Sequence, residues 1–343
     1  MAPVRNGRVL FNEVPTGFPE PDKTVVYEES HTIDLDTVPL NGGVLAKLLV
    51  ISADPYMRGR MRPVDVPGYI PAFPLGEPID NFAVSVVLRS EVPEYRPGDY
   101  VYGIFLFQHY SVLKKEQIER KVENAEKLPL SLYVGVLGMP GLSAYAPWKK
   151  YAPTAKHGDI AFVSAASGAV GATVVQLAKA DGYKVIASSG SDEKAAFVKS
   201  LGADVSFNYK TTDTAEVLSK EGPIDLYFDN VGGATLEAAL ANATPGGLFI
   251  VSGMISAYNA PPYHVKNLME IYQRRLRVQG FQAPHLAPKY LDEFLRTFPA
   301  RITAGDLRWK EHIVRGLENA GQALYDVQAG ANFGKCVVRV ADE

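Results

Sequence analysis

The chain reads as an α/β protein: a doubly wound parallel sheet covered by helices, joined to a smaller β-rich domain. Three observations predict this. Residues 158–189 change hydrophobic period twice: Ile160–Val163 is a short apolar run, Val174, Leu177 and Ala178 recur at helical spacing, and Tyr183–Ser188 is apolar again. The same alternation of strand-like and helix-like segments continues to residue 281, the pattern of a parallel sheet with helices on its faces. Before residue 125, apolar runs are separated only by Gly/Pro turns, which suits a β-rich domain.

In chain order, Val44–Ile51, Phe82–Leu88 and Tyr100–Phe105 read as strands, with Arg96-Pro-Gly-Asp99 as a turn before the third; together they predict a small closed or nearly closed barrel. Between the first two lies Ala53-Asp-Pro-Tyr-Met-Arg-Gly-Arg-Met61, which reads equally as a pocket-lining loop or as a capped turn whose arginines reach surface carboxylates. Pro129–Met139 and Pro140–Tyr151 suggest a helical pair broken by Gly138–Gly141. After the strand at 160–163 comes a helix from Val170, then the strand at 183–188. Glu193–Leu201, Asp213–Glu221 and Thr235–Ala243 are expected helices. Ala203–Phe207, Ile224–Asn230, Gly247–Ser252 and Leu276–Phe281 are the strands that alternate with them. Pro261-Pro262 and His285–Pro288 are loop signals, expected as a mobile edge. The last segment predicts a helix at His312–Ala323 and a strand at Gly334–Val340, returning as β structure to the first domain. The expected domains are 1–128, 129–300 and this returning segment, 301–343.

Composition narrows the function. With 343 residues, 47 % hydrophobic and 21 % charged, the chain has the make-up of a soluble enzyme with a large core. A net charge of −3 without a Lys/Arg run argues against a nucleic-acid partner. No apolar run approaches the roughly 18 residues of a membrane helix, and Met-Ala-Pro-Val-Arg-Asn-Gly lacks the apolar core of a signal peptide, so a cytoplasmic protein is expected. The single cysteine, Cys336, excludes an intramolecular disulfide and a Cys-rich zinc site. The six histidines are scattered without ligand spacing, so a metal would need distant His and carboxylates, and none is expected.

Ala166, Gly168 and Gly171 fit the spacing G-x-G-x-x-G with Ala in the first place, between a strand and a helix. Such a turn lets the backbone approach a pyrophosphate at a helix N-terminus. Ligands of these sheets bind beyond the carboxyl ends of the strands, which brings Ser167–Gly171, Ser188–Ser191, Asn230–Gly232 and Ser252–Tyr258 to one rim. The second strand ends in Ser188-Ser-Gly-Ser191 and Lys194, with no acid at its tip for a ribose 2′-OH. Hydroxyls and a lysine suit a 2′-phosphate, and Tyr209 adds a hydroxyl, so NADPH is expected over NADH. The plainer alternative is that Ser191 caps a helix and Lys194 is a solvated charge.

Several motifs taken together resemble the zinc-independent medium-chain dehydrogenase/reductase superfamily, and within it the NADPH-dependent alkenal and double-bond reductases. They are Asp54-Pro-Tyr-Met-Arg58, Gly138-Met-Pro-Gly-Leu-Ser-Ala-Tyr145, Ala165-Ala-Ser-Gly-Ala-Val-Gly171, Gly190-Ser-Asp-Glu-Lys194, Phe207-Asn-Tyr-Lys210, Phe228-Asp-Asn-Val-Gly-Gly233, Gly253-Met-Ile-Ser-Ala-Tyr-Asn259 and Asn332-Phe-Gly-Lys335, in the expected order over nearly the whole chain. The resemblance implies a Rossmann domain beside a GroES-like one, and a homodimer. It implies cofactor contacts from Ala166, Ser167, Gly168, Ala169, Val170, Gly171, Ser189, Gly190, Lys194, Tyr209, Asn230, Ser252, Gly253, Met254, Ile255, Ser256 and Asn332. Tyr56, Met139 and Tyr145 would line the substrate pocket, and Tyr258 would face the substrate carbonyl.

The implied reaction adds hydride to the β-carbon of an α,β-unsaturated aldehyde or ketone. Hydroxyl donors, Tyr258 among them, meet the charge on the carbonyl oxygen, and Tyr258 or water supplies the α-proton. With 18 tyrosines in the chain, the competing reading of Tyr258 is a packed loop aromatic. The rival functions are a quinone reductase of the same superfamily and a non-catalytic NADPH-binding protein. Three places depart from the family pattern: Ser143 stands for Thr, Asn81-Phe-Ala-Val for a more Gly-rich stretch, and Phe107-Gln-His-Tyr110 for a Trp-bearing one. The last two leave substrate identity open.

Overall fold

Most of the apolar runs become buried strands. In the computed structural model, which describes residues 3–342, the N-terminal part contains β1 (Val4–Arg5), β2 (Arg8–Phe11), β3 (Val25–Glu28), β4 (Thr32–Ile33), β5 (Val44–Ser52), a one-turn α1 (Met57–Arg60), β6 (Asp80–Ser90), β7 (Tyr100–Leu106), β8 (Tyr110–Leu113) and β9 (Ile118–Lys121). β5 is buried along nearly its whole length because it is central. It pairs with β6 on one side and with β8 through Val44–Lys47 on the other.

A second set follows: α2 (Met139–Tyr151), β10 (Ile160–Val163), α3 (Ala169–Ala180), β11 (Lys184–Ser189), α4 (Asp192–Ser200), β12 (Val205–Asn208), α5 (Thr214–Glu221), β13 (Ile224–Asp229), α6 (Gly233–Ala241), β14 (Ala243–Val251), α7 (Met269–Gln273), β15 (Arg277–Gly280) and α8 (Ala283–Thr303). Its six strands are all parallel, in the order β12-β11-β10-β13-β14-β15. The order reverses between β10 and β13, the switch point at which open α/β sheets hold ligands.

The chain then adds β16 (Glu311–Arg315), α9 (Ala320–Ala329) and β17 (Lys335–Arg339). β17 pairs with β5 through Val337–Arg339, extending the first sheet to the order β16-β17-β5-β6-β7-β9. Two compact units result, Met1–Gly135 with Glu311–Glu343, and Val136–Lys310. These limits differ from 128 and 300 for local reasons. The turn Leu130–Val134 is wholly buried, and Ser52 Oγ donates to the Val134 carbonyl at 3.2 Å. Arg308 N–H and carbonyl both bond the Gln176 side chain of α3 at 2.8 Å.

Three local expectations are corrected. Residues 285–288 lie inside α8, which carries Pro288 and Pro299 within it. Its buried positions Leu286, Tyr290, Phe294, Phe298 and Ile302 fall four apart and hold the helix against its neighbours. The segment 312–315 is strand β16, pairing with β17, and the helix begins only at Ala320. The Gly138–Gly141 break lies at the start of α2: Gly138 is its N-cap residue and Gly141 is inside it, where a Cβ would strike the Val136 carbonyl.

Candidate functional site

Glycines and hydroxyls concentrate at the carboxyl ends of the parallel strands. After β10, Ala165 takes φ 48°, a left-handed conformation uncommon for a residue with a side chain. The Ala166 N–H donates to Ser188 O at 2.9 Å, which ties the turn to the tip of β11. Gly171 is required by packing, since a Cβ there would sit 2.6 Å from Ala165 O and 2.7 Å from Ala166 Cα. At Gly168 the nearest atom to a Cβ is Ala165 O at 3.4 Å, so protein packing does not demand this glycine. The backbone there is left open to approach. Gly168 caps α3 without a side-chain hydrogen bond, leaving the N–H groups of Ala169, Val170 and Gly171 without intrahelical acceptors. Ser167 beside them is buried.

At the tip of β11, Ser189 Oγ is buried and finds no hydrogen-bond partner among the described residues. A Cβ at Gly190 would lie 3.4 Å from Tyr209 Oη and 3.7 Å from Lys210 Cε, so both side chains converge here. Ser191 caps α4 by accepting the Lys194 N–H at 3.2 Å. The Asp192 carboxylate is engaged by Asn208 Nδ2 at 3.0 Å. Lys194 is half-buried, and its ammonium is pushed below the usual lysine range by burial first and by the Lys210 charge second. Part of the plainer alternative therefore holds, since Ser191 is a cap. Lys210 was missed by sequence reasoning; a basic residue next to Tyr209 after a strand tip was the available signal.

β13 ends in Asp229, also missed, although an acid closing an apolar strand before Asn-Val-Gly-Gly is a visible signal. Its Oδ1 accepts from Tyr227 Oη at 2.7 Å, Val231 N–H at 2.9 Å and Gly232 N–H at 2.8 Å. Its Oδ2 is buried without a partner among the described residues, and burial raises the carboxyl above its ordinary value. Asn230 Nδ2 donates to Ser164 O at 2.8 Å, joining this turn to the one after β10.

The segment after β14 is stitched onto that turn. Ser252 and Gly253 donate N–H groups to Asp229 O at 2.8 and 3.2 Å, Ile255 donates to Asn230 O at 3.3 Å, and Ser256 reaches Val231 O through N–H at 3.2 Å and Oγ at 2.6 Å. Gly232 allows it: its φ is 68°, and a Cβ would meet Met254 Cγ at 2.8 Å. Tyr258 folds back over Gly253, its Oη 3.3 Å from where a Cβ would be. Burial raises the phenol's pKa, while the nearby Met254 backbone works the other way. The raised pKa keeps the Tyr258 O–H protonated at neutral pH.

The other expected residues each have local partners. Met139 opens α2, half-buried, with Ser143 Oγ 3.2 Å from its sulfur. Tyr145 is buried against Phe294 and Phe298 of α8, with ring centroids 5.8 and 5.2 Å away, and burial first and Glu293 second raise its phenol's pKa. In the other unit, Asn332 Nδ2 donates to Gly334 O at 2.7 Å, and Tyr56 Oη donates to Asn81 Oδ1. Of the 53–61 loop's arginines, Arg58 reaches the carbonyls of Pro15 and Gly17 at 3.1 and 3.0 Å, and Arg60 reaches Asp80 at 2.5 Å.

Residues 169–298 match the family described as zinc-binding dehydrogenase, and residues 8–121 match the N-terminal domain of oxidoreductase. The chain is 42 % identical to the NADP-dependent oxidoreductase RED1 of Cochliobolus heterostrophus over 98 % of each chain. It is 39 % identical to an NADP-dependent 2-alkenal reductase of Nicotiana tabacum over 99 % of each. Among solved structures it is similar to CurA of Vibrio vulnificus in complex with NADPH, at 31 % identity and TM-score 0.87, covering 98 % of this chain and 100 % of that one. The zinc in the first family's description has no matching donor set here: among the described residues no three His, Cys, Asp or Glu are grouped to hold a metal. No helix among them is long and apolar enough to cross a membrane.

Proposed function

The chain belongs to the medium-chain dehydrogenase/reductase superfamily, in the branch that includes NADP-dependent 2-alkenal reductase, and from that premise we propose that it reduces the C=C bond of α,β-unsaturated aldehydes and ketones with NADPH. The observation that carries the reading is the Tyr258 hydroxyl, held protonated at the rim of the parallel sheet beside the turns that fit a dinucleotide.

The residues fit NADPH on three counts. The Ala165–Gly171 turn presents uncapped N–H groups where Gly168 leaves the backbone open. Ser189 offers a buried hydroxyl that lacks a partner among the described residues. Lys194 and Lys210 place two cations where no acid stands at the strand tip. In this reading Ala166–Gly171 hold the pyrophosphate, Ser189, Gly190, Lys194, Tyr209 and Lys210 hold the 2′-phosphate end, and Asn230 with Ser252–Ser256 lines the nicotinamide. When bound, NADPH supplies a hydride to the β-carbon of the substrate.

Tyr258 does the protein's share of the chemistry. Its O–H donates to the substrate's carbonyl oxygen and stabilises the negative charge that grows there. As a weak acid, Tyr258 can then pass that proton toward the α-carbon. Asp229 is a positioning residue, fixing the turn on which the Ser252–Ser256 segment rests.

Two finer readings accompany this one. A homodimer formed along β15 is supported by the open sheet edge there and by Val278, Leu268, Met269 and Tyr272, all exposed apolar side chains nearby; sedimentation tests it. A cytoplasmic location is proposed from the demand for NADPH, and fractionation tests it. For the reaction, NADPH oxidation is followed with an enal, an enone and a quinone, and the products are identified. Saturated carbonyl products are expected. Turnover of the quinone alone would favour the rival quinone reductase, and no turnover at all would favour a binding protein.

A further inference from the structure

The enals that the reading above assigns to this chain are alkylating reagents, and its own nucleophiles meet them. The thiol is closed to them: Cys336 is 1 % exposed, its Sγ lies 3.8 Å from Ala323 O, and burial pushes it up to about 11. Lys23, Lys115 and Lys121 meet the carboxylates of Glu20, Glu94 and Asp99, which keep the proton on the amine. An ammonium has no lone pair to give. Lys194 is placed in the opposite way. It stands in the first turn of α4, its N–H capped by Ser191 at 3.2 Å, at the end where the helix dipole is positive and disfavours a cation. Lys210 converges on the same strand tip, with its Cε 3.7 Å from where a Gly190 Cβ would be. The Asp192 carboxylate beside them is engaged by Asn208 Nδ2 at 3.0 Å. Burial first and the Lys210 charge second push the Lys194 ammonium toward the free amine.

A lysine that is desolvated and set beside a second cation is an activated nucleophile. We propose that Lys194 is a modification site for the chain's own substrate class: in cofactor-free protein an α,β-unsaturated aldehyde alkylates Lys194 and shuts the 2′-phosphate site. The Nζ lone pair forms a bond to the β-carbon, the C=C electron pair moves toward the carbonyl as an enolate, and the proton displaced from nitrogen reaches the α-carbon through water. The step is an addition, so nothing leaves and no oxidant or reductant is consumed. The adduct places a carbon chain on the nitrogen that would pair with the phosphate. Bound NADPH or NADP+ reverses the situation, because its 2′-phosphate favours the ammonium and covers it. The inference rests on the double-bond reductase reading for the identity of the electrophile, and it adds a regulation of that same site: enal in excess of cofactor inactivates, and cofactor protects.

The test treats the full-length, cofactor-free protein with crotonaldehyde, fixes the adducts with borohydride and follows each lysine by peptide mass spectrometry. Lys194 is expected to label ahead of the exposed Lys156 and Lys220. NADPH binding, read by fluorescence titration, should weaken about tenfold or more as Lys194 labels. NADP+ at about 100 times its Kd should slow the labelling of Lys194 roughly a hundredfold, in proportion to the sites left open, and the same concentration of NAD+ should not. In Lys194→Arg, whose guanidinium keeps the charge and offers no free amine, NADPH affinity should hold its starting value through the treatment. Labelling of Lys194 no faster than that of Lys156 and Lys220 in the wild-type protein overturns the proposal without any variant having to fold. Labelling that NADP+ leaves unchanged overturns it as well. Failure to reduce crotonaldehyde with NADPH would remove the reading it rests on, whereas reduction by a protein whose Lys194 stays unlabelled removes only this inference.

Discussion

At the scale of single residues, Tyr258 bears the chemical demand. If its O–H is the main protein donor to the carbonyl oxygen, Tyr258→Phe should lower kcat roughly a hundredfold, the usual effect of losing one oxyanion donor, with NADPH binding retained. Rapid-reaction absorbance measurements separate the two. Because the phenol's pKa is raised, its proton persists past pH 10; activity should be flat through neutral pH and fall only as pH rises through the elevated value. Lys194 behaves in the opposite sense. Its ammonium is depressed by burial and by Lys210, so it loses its proton earlier than an ordinary lysine as pH rises, and affinity for NADPH should fall there while that for NADH does not. Lys194→Ala should raise KM for NADPH about tenfold or more and narrow the preference over NADH, read by initial rates with each cofactor. Lys194 and Tyr209 were legible because charge and hydroxyl types are written in the sequence. Lys210 and Asp229 were not, since their importance comes from what lies beside them: Lys210 from its neighbour Lys194, Asp229 from two N–H groups and a tyrosine that fold around it.

At the scale of elements, the strand–turn–helix at 160–180 was fully readable because its period changes and glycines are local signals. Gly171 is its tightest point. In Gly171→Ala the new methyl meets two backbone atoms that cannot move independently, so a loss of about 1–3 kcal/mol and a marked weakening of NADPH binding are expected, measured by thermal unfolding and cofactor titration. The misread elements have non-local causes. A proline inside a helix costs about 3 kcal/mol, which argues for a break at Pro288. Yet Leu286, Tyr290, Phe294, Phe298 and Ile302 bury their side chains at about 1.5–3 kcal/mol each, and that sum prevails. Residues 312–315 become a strand only because β17 offers a parallel edge to pair with, a partner that no local pattern announces.

At the scale of the whole molecule, the two ends of the chain contribute to one unit, and the buried pair of Asp54 and Lys335 joins them at 3.1 Å. Removing one member leaves the other charge buried and unpaired. Lys335→Met should therefore cost about 3–5 kcal/mol, seen as a lower urea midpoint, and Asp54→Asn in the same chain should recover part of it. The fold class was legible in the alternation of segments, whereas the exact limits of the units were not. They depend on a buried turn at 130–134 and on the grip of Gln176 on Arg308, both set by tertiary contact. The reaction direction is tested most directly by following the transferred hydrogen. With NADPH deuterated at C4 and an enal as acceptor, the product should be the saturated aldehyde with deuterium on its β-carbon; deuterium on the carbonyl carbon of an allylic alcohol would contradict the account.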